Sequence, residues 1–228
     1  MMKRFAFLDL EGVLIPEIWE IYAQELKIPE LAITTREEPD FKKLVRNRIE
    51  FLKSNGITIG SLVQISKDIN PLEGSLEFIK HLKSMGFTII IVTDAFLQTI
   101  DNIIKKIDMD HVYPNYFKCD LQGYIVEAVY SRRHGKHEVL NQKLNKNSGE
   151  YSISVGDTFN DFTMLNAAND GFLFNPSERV LQIAERDFHN LRIVYNYQNI
   201  ISFLKDVHHL ENIEYQMDSK NTYQLGIL

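Results

Sequence analysis

Phe5-Ala6-Phe7-Leu8 runs into Asp9-Leu10-Glu11-Gly12-Val13, and far along the chain Tyr151-Ser152-Ile153-Ser154-Val155 runs into Gly156-Asp157-Thr158-Phe159-Asn160-Asp161. Both lead-in segments are short and apolar, as buried strands are. Carboxylates that end neighbouring parallel strands converge at one edge of a sheet. Such a convergence can hold Mg2+ beside a carboxylate nucleophile, which points to phosphoryl chemistry. Taken singly, the first run also fits an acidic surface turn, and the second also fits two capping aspartates.

The segments between these runs supply the rest of the fold. Helical spacing of apolar residues predicts helices over Glu17 to Leu26, Phe41 to Leu52 and Thr58 to Ile69. Asn70 as cap and Pro71 in the first turn predict another helix, with Leu72, Leu76, Ile79 and Leu82 as its stripe and Gly86 as its stop. Phe87 to Val92 is a β-branched run and reads as a central strand that ends at Thr93-Asp94. A helix over Phe96 to Ile107, a hairpin over Tyr116 to Tyr130 and a helix over Lys136 to Leu144 follow. After the Tyr151 to Val155 strand come a helix over Phe159 to Ala168, a strand over Gly171 to Phe174 and a helix over Glu178 to Glu185. A strand over Leu191 to Tyr195 and a helix over Ile200 to Val207 complete the series. Strands alternating with helices predict an α/β fold with a parallel sheet. The expected division is a core of residues 1–15 and 70–207, a helical insert over 16–69, and an appended tail over 208–228.

Composition narrows the function. The 228 residues are 44% hydrophobic and 25% charged, as in an ordinary globular protein. A net charge of -6 argues against a general nucleic-acid binder, which needs a basic face. A single cysteine, Cys119, excludes an internal disulfide and fits a reducing, cytoplasmic setting. No apolar run approaches the ~20 residues that span a bilayer, so no membrane partner is expected. Asp9 and Glu11 interrupt the stretch after Lys3-Arg4, which therefore does not read as a signal peptide.

Asp9 is placed to attack phosphorus, and Glu11, two residues on, to act as general acid and then base. Gly12 permits close approach of backbone amides to a phosphate. Asp157 can cap the helix after its strand, and Asp161 lies on the same helix side. Asp9, Asp157 and a backbone carbonyl near Glu11 are the expected oxygen donors to Mg2+. Thr93 offers a hydroxyl to a phosphoryl oxygen, and Lys136 a cation. Arg132 and Arg133 read as a solvated turn, and Trp19 and Tyr22 as core of the helical insert.

Together these elements resemble the haloacid dehalogenase superfamily of phosphatases. Its signature is an aspartate pair after the first strand, a strand-end Ser/Thr, a lysine, and an acidic pair after a later strand. The match runs to about residue 206. It implies a Rossmann-like parallel core with a small helical cap, and Mg2+-dependent transfer through an aspartyl phosphate. By the same resemblance Asp9, Glu11 and Lys136 are catalytic, and Leu10, Gly12, Thr93, Asp94 and Lys136 bind phosphate. Asp9, Glu11, Asp157 and Asp161 form the metal site.

The helical insert and Pro71-Leu72-Glu73-Gly74 are similar to the phosphoserine phosphatase branch. In that branch a glutamate binds the substrate amine and a cap arginine its carboxylate. Glu17 and Arg48 match those positions, Phe41 matches an aromatic that closes over the substrate, and Asn160 is a further substrate contact. Glu17 stands one residue closer to the nucleophile than usual. Glu11 replaces the usual aspartate, Val13 a threonine, and Thr93-Asp94-Ala95 a Ser-Gly-Gly. The string from Asp9 to Glu17 is similar to a bacterial subgroup that also passes the phosphoryl group to homoserine. The expected substrates are therefore O-phospho-L-serine and homoserine, and a homodimer is the expected assembly. The alternatives are another small phosphoester, or a non-catalytic scaffold of the same fold.

Overall fold

The computed structural model describes residues 3–35, 37–38, 40–145, 149–188 and 191–207. Within them the strands are β1 (Arg4–Leu8), β2 (Phe87–Phe96), β3 (His111–Cys119), β4 (Ile125–Val129), β5 (Tyr151–Gly156), β6 (Asp170–Phe174) and β7 (Leu191–Val194). They form one sheet in the order β4-β3-β2-β1-β5-β6-β7, parallel except for β4. The strand order reverses around β1, and ligands bind beyond the strand ends at such a switch point. β1 lies in register with both neighbours, pairing Leu8 with Ile91 and with Val155. Asp9 therefore emerges between Val92-Thr93 and Gly156-Asp157.

Burial on both faces explains why the strands read as continuous apolar runs. Ala6, Leu8, Ile89 and Ile91 face one way, packed with Phe78, Ile79 and Leu82 of α4 (Ser75–Ser84) and Ile100 and Ile103 of α5 (Leu97–Ile104). Phe7, Ile90 and Val92 face the other way, onto Val139 and Leu140 of α6 (His137–Lys143) and Met164 of α7 (Phe162–Leu165). Helix α8 (Glu178–Asp187) packs Val180 and Ala184 on Leu173, and a last helix covers 197–207. Between β1 and β2 lie α1 (Ile18–Leu26), a 3-10 turn (Pro29–Ala32), α2 (Phe41–Ser54) and α3 (Ile59–Ser66), ahead of α4. Among the described residues no helix is long and apolar enough to cross a membrane.

Four local expectations are corrected. Helix α4 begins at Ser75, not after Asn70, because the Leu72 amide donates to the Leu14 carbonyl and Gly74 turns with φ +79°. Strand β2 continues through Thr93 to Phe96. β3 begins at His111, ahead of the hairpin, because its first half extends the parallel sheet beside β2. The stretch after Asp157 is a 3-10 turn (Phe159–Asp161) followed by the short α7 rather than one helix. The tail at 208–228 lies outside the described residues.

Candidate active site

The turn after β1 is closed by the Leu14 and Ile15 amides, which both donate to the Leu10 carbonyl. It leaves Asp9 almost wholly buried, with Oδ1 accepting from the Leu10 amide at 2.7 Å and lying 2.7 Å from Lys136 Nζ. Gly12 has φ +74°, and a Cβ there would stand 2.4 Å from Asp157 Oδ2. A side chain there would strain the left-handed backbone and displace the Asp157 carboxylate. Glu11 lines the same cavity as Asp9 but, contrary to the expected metal site, is not among the carboxylates grouped with it as possible metal donors. Its Oε1 accepts from the Ile18 amide at 3.0 Å, in the first turn of α1.

At the end of β5 the N-cap is Thr158 rather than Asp157, and Asp161 reaches back to it from the third position of the turn. Asp161 Oδ2 accepts from the Asp157 and Thr158 amides at 3.0 and 3.1 Å, completing a capping box with Thr158. This corrects the expected Asp157 cap. Asp161 is fully buried, and its Oδ1 accepts from Lys136 Nζ at 2.6 Å. Gly156 makes room, since a Cβ there would lie 2.3 Å from Asp161 Cβ. Asp9, Asp157 and Asp161 each present an oxygen within 4.8 Å of the others, a grouping able to hold a metal ion.

The electrostatics follow from this crowding. Burial, then the Asp161 charge, raises the Asp9 carboxyl well above its ordinary range. The same two causes push Asp157 up to about 8. Burial and the neighbouring Glu17 push Glu11 up to about 8. Burial works against the Lys136 ammonium, but Asp161 and Asp9 outweigh it and hold the group charged.

Thr93 and Asp94 enter from the end of β2. Thr93 is buried, and its Oγ1 accepts from the Ala95 amide at 3.1 Å. Asp94 is ion-paired with Arg132, Nη2 to Oδ1 at 2.9 Å. The Arg132 side chain is 7% exposed, so its reading as a solvated turn residue is corrected. Asn160 Nδ2 lies 3.5 Å from Asp94 Oδ2.

A cavity of about 130 Å³ is lined by Asp9, Thr93, Lys136 and Asp157 at the strand ends and by Glu17, Phe41 and Arg48 of the segment between β1 and β2. Arg48 is buried. Its Nη2 donates to the Ile33 carbonyl at 2.7 Å, and its guanidinium stacks 4.3 Å from the Trp19 ring centre. Burial lowers its pKa to about 10 against the pull of Glu11 and Glu17. Phe41 meets Tyr130 edge to face, with ring centres 6.0 Å apart. Tyr22 is core as read, with its hydroxyl 2.6 Å from Ser66 Oγ, whereas Trp19 also lines the cavity.

Residues 4–169 match the family model described as haloacid dehalogenase-like hydrolase. The chain is 30% identical over 196 residues to Phosphoserine phosphatase ThrH of Pseudomonas aeruginosa, covering 86% of this chain and 92% of that protein. It is 29% identical to a phosphoserine phosphatase of Pseudomonas syringae pv. tomato, covering 86% and 79% of the two chains. Among solved structures, a phospho-aspartyl intermediate analogue of phosphoserine phosphatase superposes with a TM-score of 0.72 at 19% identity, covering 89% of this chain and 99% of that one. A substrate-bound phosphoserine phosphatase complex superposes equally well, at 20% identity and the same coverage. By the family match, and by kinship with these relatives, the chain belongs to the haloacid dehalogenase-like hydrolase family, in its phosphoserine phosphatase branch.

Proposed function

We propose that this protein is a Mg2+-dependent phosphoserine phosphatase that works through an aspartyl phosphate and also passes the phosphoryl group to homoserine. The observation that carries the substrate assignment is that one cavity is lined both by Asp9 and Lys136 and by the oppositely charged Glu17 and Arg48. The first pair suits a phosphoryl group, and the second suits the ammonium and carboxylate of an amino acid.

The donor set fits magnesium. Asp9, Asp157 and Asp161 are hard oxygen ligands, and Lys136 is the cation that touches Asp9 and Asp161. Both oxygens of Asp161 are already engaged, so Asp9 and Asp157 would hold the ion with Asp161 beside them. When bound, Mg2+ supplies positive charge against the phosphoryl oxygens.

Asp9 attacks phosphorus and the serine oxygen leaves with the proton of Glu11. A Glu11 pKa of about 8 keeps that proton in place at neutral pH. Glu11 then takes a proton from water, which attacks the aspartyl phosphate and frees inorganic phosphate. With homoserine the attacking oxygen is its hydroxyl, and phosphohomoserine leaves instead. Lys136 and the Thr93 hydroxyl offset the phosphoryl charge. Residues 16–69 act as a cap over the core of 1–15 and 70–207. Closure of that cap excludes water and favours transfer.

Two outcomes test this reading. Arg48→Ala should raise KM for phosphoserine by ~30-fold or more while changing KM for p-nitrophenyl phosphate by less than ~3-fold. Equal effects in steady-state assays would remove the amino-acid assignment. The second outcome concerns metal and pH. Asp157, with a folded-state pKa raised from 3.8 to about 8, costs the metal-free fold stability as pH rises through that window. Asp9 shifts in the same direction. Mg2+ displaces those protons, so its effect on Tm should be small near pH 5 and grow towards about pH 8. Calorimetry showing a pH-independent Mg2+ effect would contradict the assigned site.

A further inference from the structure

We propose that Arg132 is a positioning residue of the phosphoryl pocket, fixing the Thr93-Asp94 segment and offsetting the charge that Asp94 brings to the pocket wall. The inference rests on the phosphoryl-transfer reading above and adds a residue that the family signature does not contain.

One planar guanidinium ties the ends of two strands together. Arg132 Nη2 donates to the Thr93 carbonyl at 2.6 Å and to Asp94 Oδ1 at 2.9 Å. Its Nη1 donates to the Tyr113 carbonyl at 2.7 Å and to Ser131 Oγ at 3.1 Å. Asn115, also buried, secures the next peptide. Its Nδ2 donates to the Asp94 carbonyl at 2.9 Å and its Oδ1 accepts from the Ser131 amide at 3.1 Å. Both carbonyls that flank the Asp94 side chain are thereby anchored, and β2 and β3 cannot shift independently there.

This anchoring aims Thr93. Its Oγ1 already accepts from the Ala95 amide, which leaves the hydroxyl proton to be donated elsewhere, and Thr93 lines the cavity. A displacement of ~1 Å in such a donor can cost ~100-fold in rate.

The second role is electrostatic. Asp94 lines the same cavity as Asp9, Glu11, Glu17 and Asp157, which is already rich in carboxylates for a site that receives an anionic phosphoester. Arg132 cancels the added charge directly at Asp94. A lysine would supply the charge without the fork, since its ammonium is a point donor and cannot span two carbonyls and a carboxylate in one plane.

The test compares wild type, Arg132→Lys, Arg132→Met and the double variant Arg132→Met/Asp94→Asn. Circular dichroism establishes folding. The assays are steady-state hydrolysis of p-nitrophenyl phosphate and of phosphoserine with Mg2+, and competitive inhibition by inorganic phosphate. Arg132→Met should lower kcat/KM by ~100-fold for both esters and weaken inorganic phosphate by ~10-fold. Arg132→Lys, which keeps the charge and the stem, should lose ~10-fold in kcat/KM. Adding Asp94→Asn to Arg132→Met should restore ~10-fold in phosphate affinity, a rescue that a purely structural role for Arg132 does not produce. If either Arg132 variant stays within ~3-fold of wild type, or the double variant is no better than Arg132→Met, the inference is overturned. Wild-type turnover of p-nitrophenyl phosphate without turnover of phosphoserine would defeat the substrate assignment alone, and Arg132 would still be judged on the aryl ester. Turnover of neither ester would overturn both.

Discussion

Asp9→Asn is expected to reduce turnover by at least ~10⁴-fold while leaving the protein folded. The amide is a neutral, poor nucleophile and cannot form the acyl phosphate. Its effect on stability should run the other way from its effect on rate. Asp9 is buried beside Asp161 and Asp157, and its raised pKa shows that the fold disfavours its charged form. A group raised in this way contributes stability only below its unfolded pKa and loses it as pH rises. Above that window, asparagine removes a like charge from the cluster. The metal-free variant should therefore melt no lower than metal-free wild type at neutral pH, although the neutral amide forfeits the ionic contact with Lys136. A scan showing a large loss of Tm together with loss of activity would mean that Asp9 is a structural residue.

Lys136→Met is expected to damage both properties. The Lys136 ammonium lies 2.7 Å from Asp9 Oδ1 and 2.6 Å from Asp161 Oδ1, with its side chain 3% exposed. Removing one partner of a buried ionic cluster typically costs ~3–5 kcal/mol, because the remaining charges stay behind. The sign with pH is definite. The folded-state pKa of Lys136 is raised, so its contribution is complete below its ordinary value of 10.5 and is lost only above it. The loss in Lys136→Met should thus appear across the whole neutral range in denaturant melts. Turnover should fall by a further ~10²–10³-fold among molecules that remain folded, the usual effect of deleting one donor to a transition-state oxyanion. Near-normal stability would show that Asp161 finds sufficient partners in the Asp157 and Thr158 amides alone.

The strands were legible because buried parallel strands leave uninterrupted apolar runs, and Phe5 to Leu8 and Phe87 to Val92 are of that kind. The convergence of the two acidic runs was legible for the same reason, since strands β1 and β5 are neighbours in register. Features set by distant contacts were not. Asn70-Pro71 has the pattern of a helix start, but the Leu72 amide is taken by Leu14 and Gly74 turns left-handed, which no local pattern reveals. The capping box Thr158-x-x-Asp161 was readable as a motif, but Asp157 beside Thr158 is as good a cap residue by type, and it is instead placed near Gly12 and Asp9. Arg132 read as a solvated turn residue, and the burial of Arg48 was not legible either. Trp19 and the Ile33 carbonyl bury Arg48, and Asp94 with the Thr93 and Tyr113 carbonyls buries Arg132. An arginine becomes interior only through partners supplied by other elements, so its burial is invisible until the chain is folded.

The most direct measurement is the release of serine and phosphate from O-phospho-L-serine by the purified protein with Mg2+, run beside the Asp9→Asn variant and repeated with homoserine. Wild type should release equimolar serine and phosphate and the variant neither, with phosphohomoserine in place of part of the phosphate when homoserine is present. Phosphoserine left intact by a folded, Mg2+-loaded wild-type protein would contradict the proposed activity.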